Sequence, residues 1–132
     1  MQYINPDTLF PSEQYGFSQV VVASGKRIAF ISGQTGWDAD AKMEGGATLY
    51  EQAVRSLRNV QSAIEAAGGT IADIAALRIY IVDYAPAKSK AVRRALIEAF
   101  DEGKRPASSW VGVSALAEPE FLIEVEATAV ME

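Results

Sequence analysis

The run Leu122-Ile123-Glu124-Val125-Glu126-Ala127-Thr128-Ala129-Val130 constrains the fold more than any other part of the chain. Alternate side chains of an extended strand share a face. Read as a strand, the run sends Ile123, Val125, Ala127 and Ala129 one way and Glu124 and Glu126 the other, and a strand buried on both sides has no use for two carboxylates. The sheet it joins is therefore packed on one face and partly polar on the other. Asp73 to Asp83 repeats the pattern, with Leu77, Ile79 and Ile81 opposite Arg78, Tyr80 and Val82.

Gln19 to Ser24 and Arg27 to Ser32 are two β-rich runs separated by Gly25-Lys26, the pattern of a hairpin. Gly33 to Gly46, rich in glycine and charge, reads as a loop. Thr48-Leu49-Tyr50-Glu51 has the form of a capping box. Leu49, Ala53, Leu57, Val60, Ile64 and Ala67 follow at spacings of three and four, one apolar helical stripe that ends at Gly68-Gly69. A second helix is expected from near Pro86 through Ala91, Ala95, Leu96, Ala99 and Phe100 to Gly103. Pro106 to Val113 and the C-terminal run are the last two strands. The order β-β-α-β-α-β-β, after a short N-terminal extended segment, predicts an α+β fold. It is a single domain over residues 1–132, with a mixed sheet of about six strands and both helices on one face. Two helices cover one side of such a sheet, so association of copies is the simplest way to bury the other.

Missing residue types narrow the chemistry. The chain has no Cys and no His, which removes disulfides, thiolate nucleophiles, a Ser-His-Asp triad and a typical zinc site. Carboxylates, hydroxyls, Lys, Arg and the backbone remain, and neither a metal nor a cofactor is expected. With 17 acidic and 12 basic side chains the net charge is −5, which repels a phosphate backbone and disfavours nucleic acid as a partner. No stretch approaches the ~20 apolar residues of a membrane helix, and no basic region followed by an apolar run opens the chain. A cytoplasmic protein with no membrane partner is the expectation.

Phe17-Ser18-Gln19, Ile31-Ser32-Gly33-Gln34, Asn59-Val60, Ala66-Ala67-Gly68 and Ile123-Glu124-Val125-Glu126-Ala127, in this order, resemble the reactive-intermediate (imine/enamine) deaminase family. This is the YjgF-type family, some members of which carry the older label of L-PSP endoribonucleases. The resemblance runs from about Phe17 to Val130. It implies a chorismate-mutase-like fold and a homotrimer with ligand clefts at the subunit boundaries.

The resemblance also assigns candidate site residues. Glu124 matches the glutamate that positions or activates the attacking water, a role that partial removal from water favours. Glu126 shares its face, and a salt bridge or a strand-edge position is the better expectation for it. Ser32, Gly33 and Gln34 match a turn that lines the cleft. Phe17 stands where deaminating members have a tyrosine, keeping the ring and losing the hydrogen bond. Pro106-Ala107-Ser108-Ser109 stands where they have Pro-Ala-Arg-Ser, so Ser108 replaces the arginine that grips the substrate carboxylate. Trp110, two positions on, either fills part of the cleft as a stacking floor or packs in a core or interface. Arg78 and Arg105 are the nearest replacements for the lost guanidinium, although an arginine in a sheet is more often an ion-pair partner. A bidentate arginine–carboxylate contact contributes about 1.5–3 kcal/mol. A 2-imino acid would therefore bind roughly ten- to several-hundredfold less well, at about 1.4 kcal/mol per tenfold.

Three readings follow. The first is a divergent member that binds a small molecule at inter-subunit clefts and hydrolyses an imine, enamine or related C–N bond. The second is a non-catalytic trimer binding a metabolite or a protein through the same clefts. The third, an endoribonuclease, requires a basic groove and is least favoured by the charge.

Overall fold

The computed structural model describes residues 1–132. Six strands are present, β1 (Gln2–Ile4), β2 (Val20–Val22), β3 (Arg27–Gln34), β4 (Ile74–Val82), β5 (Ala107–Val113) and β6 (Ile123–Met131), with helices α1 (Leu49–Ala66) and α2 (Ser89–Ala99). They form two sheets where one of about six strands was expected: a four-stranded sheet in the order β3-β6-β4-β5 and a separate pair, β1-β2. The larger sheet is mixed, as expected: β6 runs antiparallel to β3 and β4, while β5 runs parallel to β4.

The expected hairpin between residues 19 and 32 does not form. β2 pairs with β1, Gln2 opposite Val22, and β3 pairs with β6. At Gly25-Lys26 the chain passes from one sheet to the other, and the Lys26 N–H donates to the Met131 carbonyl at the end of β6. Two β-rich runs around a glycine show where strands lie but not which neighbour each one takes.

Alternation along β4 and β6 works as expected. Ile74, Leu77, Ile79, Ile81, Ile123, Val125, Ala127 and Ala129 face the helices and form one core with Leu57, Val60, Ile64, Val92, Ala95 and Leu96. Both helices lie on this face. α1 begins at the Thr48–Glu51 capping box and ends where Gly68 takes φ +87° and the Gly69 N–H returns to the Ile64 carbonyl. α2 is shorter than expected. A 3-10 turn over Pro86–Lys88 precedes it, and it stops at Ala99 because Phe100 turns extended and enters the core. No helix is long and apolar enough to cross a membrane.

The other face of the sheet has no layer over it. Ile28 and Phe30 of β3, opposite Val130 and Thr128 of β6, are 61% and 81% exposed, and Val111 of β5 is exposed on the same face at the other edge of the sheet. Glu124, Glu126, Arg78 and Tyr80 lie on this face, in the register Arg78 opposite Glu126 and Tyr80 opposite Glu124.

One buried polar residue sets where β6 begins. Gln52 on α1 is 1% exposed; its amide donates to the Ala47 and Glu120 carbonyls and accepts from the Leu122 N–H. Gln52→Leu leaves those backbone groups without partners, at about 1–3 kcal/mol for each buried one. We expect a loss of at least about 2 kcal/mol in urea unfolding; an unchanged midpoint would show that the segment before β6 holds its place without Gln52.

Candidate functional site

Glu124 projects from β6, half-buried, onto the uncovered face. The β3–β6 register is Ile31 opposite Ala127 and Gln34 opposite Val125, so β3 carries one extra residue within Ser32-Gly33. This bulge bends the edge strand and frees it from regular pairing. It also explains the glycine: a Cβ at Gly33 would lie 2.6 Å from the carboxyl carbon of Glu124. The carboxylate rests over Gly33, and no ion pair within the chain reaches it. Ser32 is exposed at the bulge, where its carbonyl accepts from the Gln34 amide.

A second cluster lies at the opposite edge of the sheet. Ser108 and Trp110 pair with Leu77 and Ile79, so they point to the helix side of β5, away from the face of Glu124. The segment at Phe17-Ser18 lies against the start of β5, with Ser18 bridging Ala107 and its N–H donating to the Pro106 carbonyl. The turn that delivers it depends on Gly16, at φ +92°, where a Cβ would come within 2.7 Å of Leu96 on α2. The Phe17 and Trp110 rings are 6.3 Å apart, and Phe10 meets both Phe17 and Tyr15 edge-on at 5.9 Å. With Tyr84, Pro86, Ser89 and Ser108 they line a cavity of about 350 Å³.

Buried polar atoms without partners concentrate here. Of six such side-chain atoms in the chain, three are Ser18 Oγ, Ser108 Oγ and Trp110 Nε1, on residues that follow Phe17 in the chain or line a cavity with it. Most buried polar atoms are hydrogen-bonded, and each exception costs about 1–3 kcal/mol.

The two arginines separate clearly. Arg105 is 7% exposed, and its guanidinium donates to the Glu13 carboxylate at 2.9 Å and to the Glu13 carbonyl at 3.1 Å. The same carboxylate accepts from the Gly103 N–H. Arg105 thus ties the turn before Phe17 to the loop before β5, and it lines neither cavity that contains Ser108. Within the chain Arg105 is engaged in a buried ion pair with Glu13. Arg78 remains exposed, only 4.0 Å from Glu126, the pairing expected for that glutamate. It shares an open groove of about 560 Å³ with Phe17, Phe30, Ser108, Ser109 and Glu126.

Within one chain the structure brings Ser32, Gly33 and Gln34 to Glu124, and Phe17, Ser108 and Trp110 to one another. It does not bring the two groups together. Tyr80 and Val111 separate Glu124 from the β5 edge, two strand spacings or roughly 10 Å. Tyr80 opposite Glu124, Ser18, and the aromatic wall of Phe10, Tyr15 and Tyr84 escaped the sequence reading. Strand register would have found Tyr80; nothing in the local pattern marks the others.

Comparison with known proteins agrees with this architecture. The model of the endoribonuclease L-PSP family matches residues 10–131. Among solved structures, YyfB of Yersinia pestis, a Rid-family protein of unknown function, is 39% identical with a TM-score of 0.92, covering 98% of this chain and 97% of its own. Rv2704 of Mycobacterium tuberculosis, of the YjgF/YER057c/UK114 family, is 28% identical with a TM-score of 0.67, covering 98% and 97%. E. coli TdcF, solved with bound serine, is 28% identical with a TM-score of 0.69, covering 97% and 94%.

Glu13→Ala leaves the Arg105 charge buried without its carboxylate. Breaking such a pair costs about 3–5 kcal/mol, so a loss near 3 kcal/mol is expected in urea unfolding. A loss below about 0.5 kcal/mol would show that Arg105 is free to turn elsewhere.

Proposed function

The chain belongs to the endoribonuclease L-PSP family, the YjgF/Rid proteins, and from that premise we propose that it is a homotrimer that binds a small molecule between subunits and hydrolyses its C=N bond. The observation that carries this reading is Glu124: half-buried, free of any ion pair, and seated over the Gly33 backbone. A carboxylate paired with an arginine would be spent on structure. This one is available to a water.

Oligomerisation is supported by two features. The uncovered face carries Phe30 and Ile28, an apolar surface that a second copy would bury. The two clusters also sit at opposite edges of one sheet, so a cleft holding both takes one from each of two subunits. Small-molecule binding is supported by E. coli TdcF, a 28% identical relative solved with serine bound.

In the reaction, Glu124 accepts a proton from water as the water oxygen adds to the imine carbon. Glu124 passes that proton to the imine nitrogen to give a neutral carbinolamine, then takes the carbinolamine hydroxyl proton and delivers it to the same nitrogen as the C–N bond breaks, so that a carbonyl compound and ammonia leave. The exposed Ser32-Gly33 bulge offers backbone to the oxygen or nitrogen that gains charge. A nuclease reading is opposed by charge: the uncovered face sets Glu124 and Glu126 against Arg78, in a chain of net charge −5. A non-catalytic binding trimer is favoured by one observation, the loss of polar grip at Phe17 and Ser108.

Ammonia release above the uncatalysed rate, from freshly generated 2-iminobutyrate and from acetophenone imine, tests the proposal. The native protein is expected to accelerate at least one of them. Glu124→Ala should lower that rate roughly 10²–10⁴-fold, the usual contribution of a general base. Gly33→Ala should lower it at least about tenfold with little change in unfolding midpoint, because only the mobile end of Glu124 must move. Full activity in Glu124→Ala would remove the mechanism, and an inert native protein would leave the non-catalytic reading.

A further inference from the structure

The cavity at the β5 edge has a chemistry of its own. Its lining is Phe10, Tyr15, Phe17, Tyr84, Pro86, Ser89, Ser108 and Trp110, without one charged side chain. Of the nearby cations, Arg105 is held by Glu13, Arg93 lies against the Tyr15 ring at 5.1 Å, Lys88 donates to the Val82 and Asp83 carbonyls, and Arg78 projects on the other face of the sheet, in the groove that also reaches Phe17 and Ser108. A carboxylate entering here would exchange part of its water for rings and hydroxyls with no cation in the lining, which disfavours it. The cavity therefore selects against the anionic group that an arginine at position 108 would hold.

What it offers instead can be read from its orphan atoms. Indole Nε1–H is a donor only, and a serine hydroxyl can donate or accept. Trp110 Nε1 and Ser108 Oγ are both buried without partners, at positions two apart on one side of one strand. Both atoms lie beneath the cavity surface, so a ligand that satisfies them turns the two side chains toward itself and presents an acceptor. The rings around it, with Phe10, Tyr15 and Phe17 meeting edge to face and Trp110 tilted by 60° to Phe17, present the faces and edges on which a planar guest packs. A volume of about 350 Å³ lies at the small end of the range for ligand pockets.

We infer that this cavity takes a neutral, planar small molecule bearing a carbonyl-type acceptor, received by Trp110 Nε1–H and Ser108 Oγ between the rings of Phe17 and its neighbours, and that it rejects carboxylates. The inference rests on the small-molecule reading above and names the class of molecule. Ser108 and Trp110 are then specificity residues, and the exchange of a guanidinium for a hydroxyl is a change of ligand charge and not a loss of the site.

Benzamide and benzoate, nearly equal in shape and different in charge, are the probes. In nitrogen-15 correlation spectra of the native protein the two indole N–H signals are assigned with Trp37→Phe, and each probe is titrated. Benzamide is expected to shift the Trp110 signal downfield and to bind at least tenfold more tightly than benzoate. Trp110→Phe, which keeps a ring and removes the donor, should weaken benzamide about fivefold, the worth of one neutral hydrogen bond. Ser108→Arg should reverse the preference. Equal or tighter binding of benzoate to the native protein would overturn the inference, as would benzamide binding without movement of the Trp110 signal, or no binding of either probe. Benzamide binding in a protein that hydrolyses no imine would sink the hydrolytic reading and leave this one standing. Hydrolysis of 2-iminobutyrate by a native protein that ignores benzamide would do the reverse.

Discussion

Strand register at β6 governs the molecule. β6 is paired on both sides, with β3 and with β4, and its side chains alternate between a core face and an uncovered face. A slip of one residue would send Glu124 and Glu126 into the helix layer and Val125 and Ala127 out of it. Burying two carboxylates among Ile79, Val60 and Leu96 would cost far more than a domain of this size has in net stability. The contrast that makes the strand fold one way is thus the contrast that places Glu124 where a water can reach it.

The bulge in β3 belongs to the same constraint. With Ile31 against Ala127 and Gln34 against Val125, one extra residue is absorbed at Ser32-Gly33, and the carboxylate of Glu124 occupies the space that a side chain would fill. Upstream, Gln52 holds the segment that feeds β6 through three backbone partners. Position and orientation of this one side chain therefore come from a helix, a loop and a neighbouring strand together, which is why it sits in a defined place although no charge grips it.

Much of this was legible in the sequence, and the reason is alternation. The two faces of β4 and β6, the stripe of α1 and the Thr48 capping box follow from periods of two and 3.6 and from a local hydrogen-bond pattern. Pairing partners were not legible in the same way. Gln19 to Ser32 carries the pattern of a hairpin, yet β2 joins β1 and β3 joins β6, because nothing local distinguishes these alternatives. The fate of Arg105 was hidden for a related reason: its partner, Glu13, lies 92 residues away in sequence, and only the fold brings the two together. The family resemblance assigns Phe17, Ser32, Gly33, Gln34, Ser108, Trp110 and Glu124 to one kind of cleft, whereas within one chain Phe17, Ser108 and Trp110 lie together and apart from Glu124; their wall of Phe10, Tyr15 and Tyr84 comes from the N-terminal turn and the segment before α2, which no short motif marks.

Separation of the two clusters by the width of two strands has a consequence for how such a scaffold can change over time. Sites more than about 7–10 Å apart that share no partners respond to mutation almost independently. Substitutions at the β5 edge, where Ser108 and Trp110 stand, can therefore accumulate without disturbing Glu124, Gly33 or the packing beneath them. The carboxylate over Gly33 and the ring cluster at the β5 edge can thus diverge at different rates within one lineage.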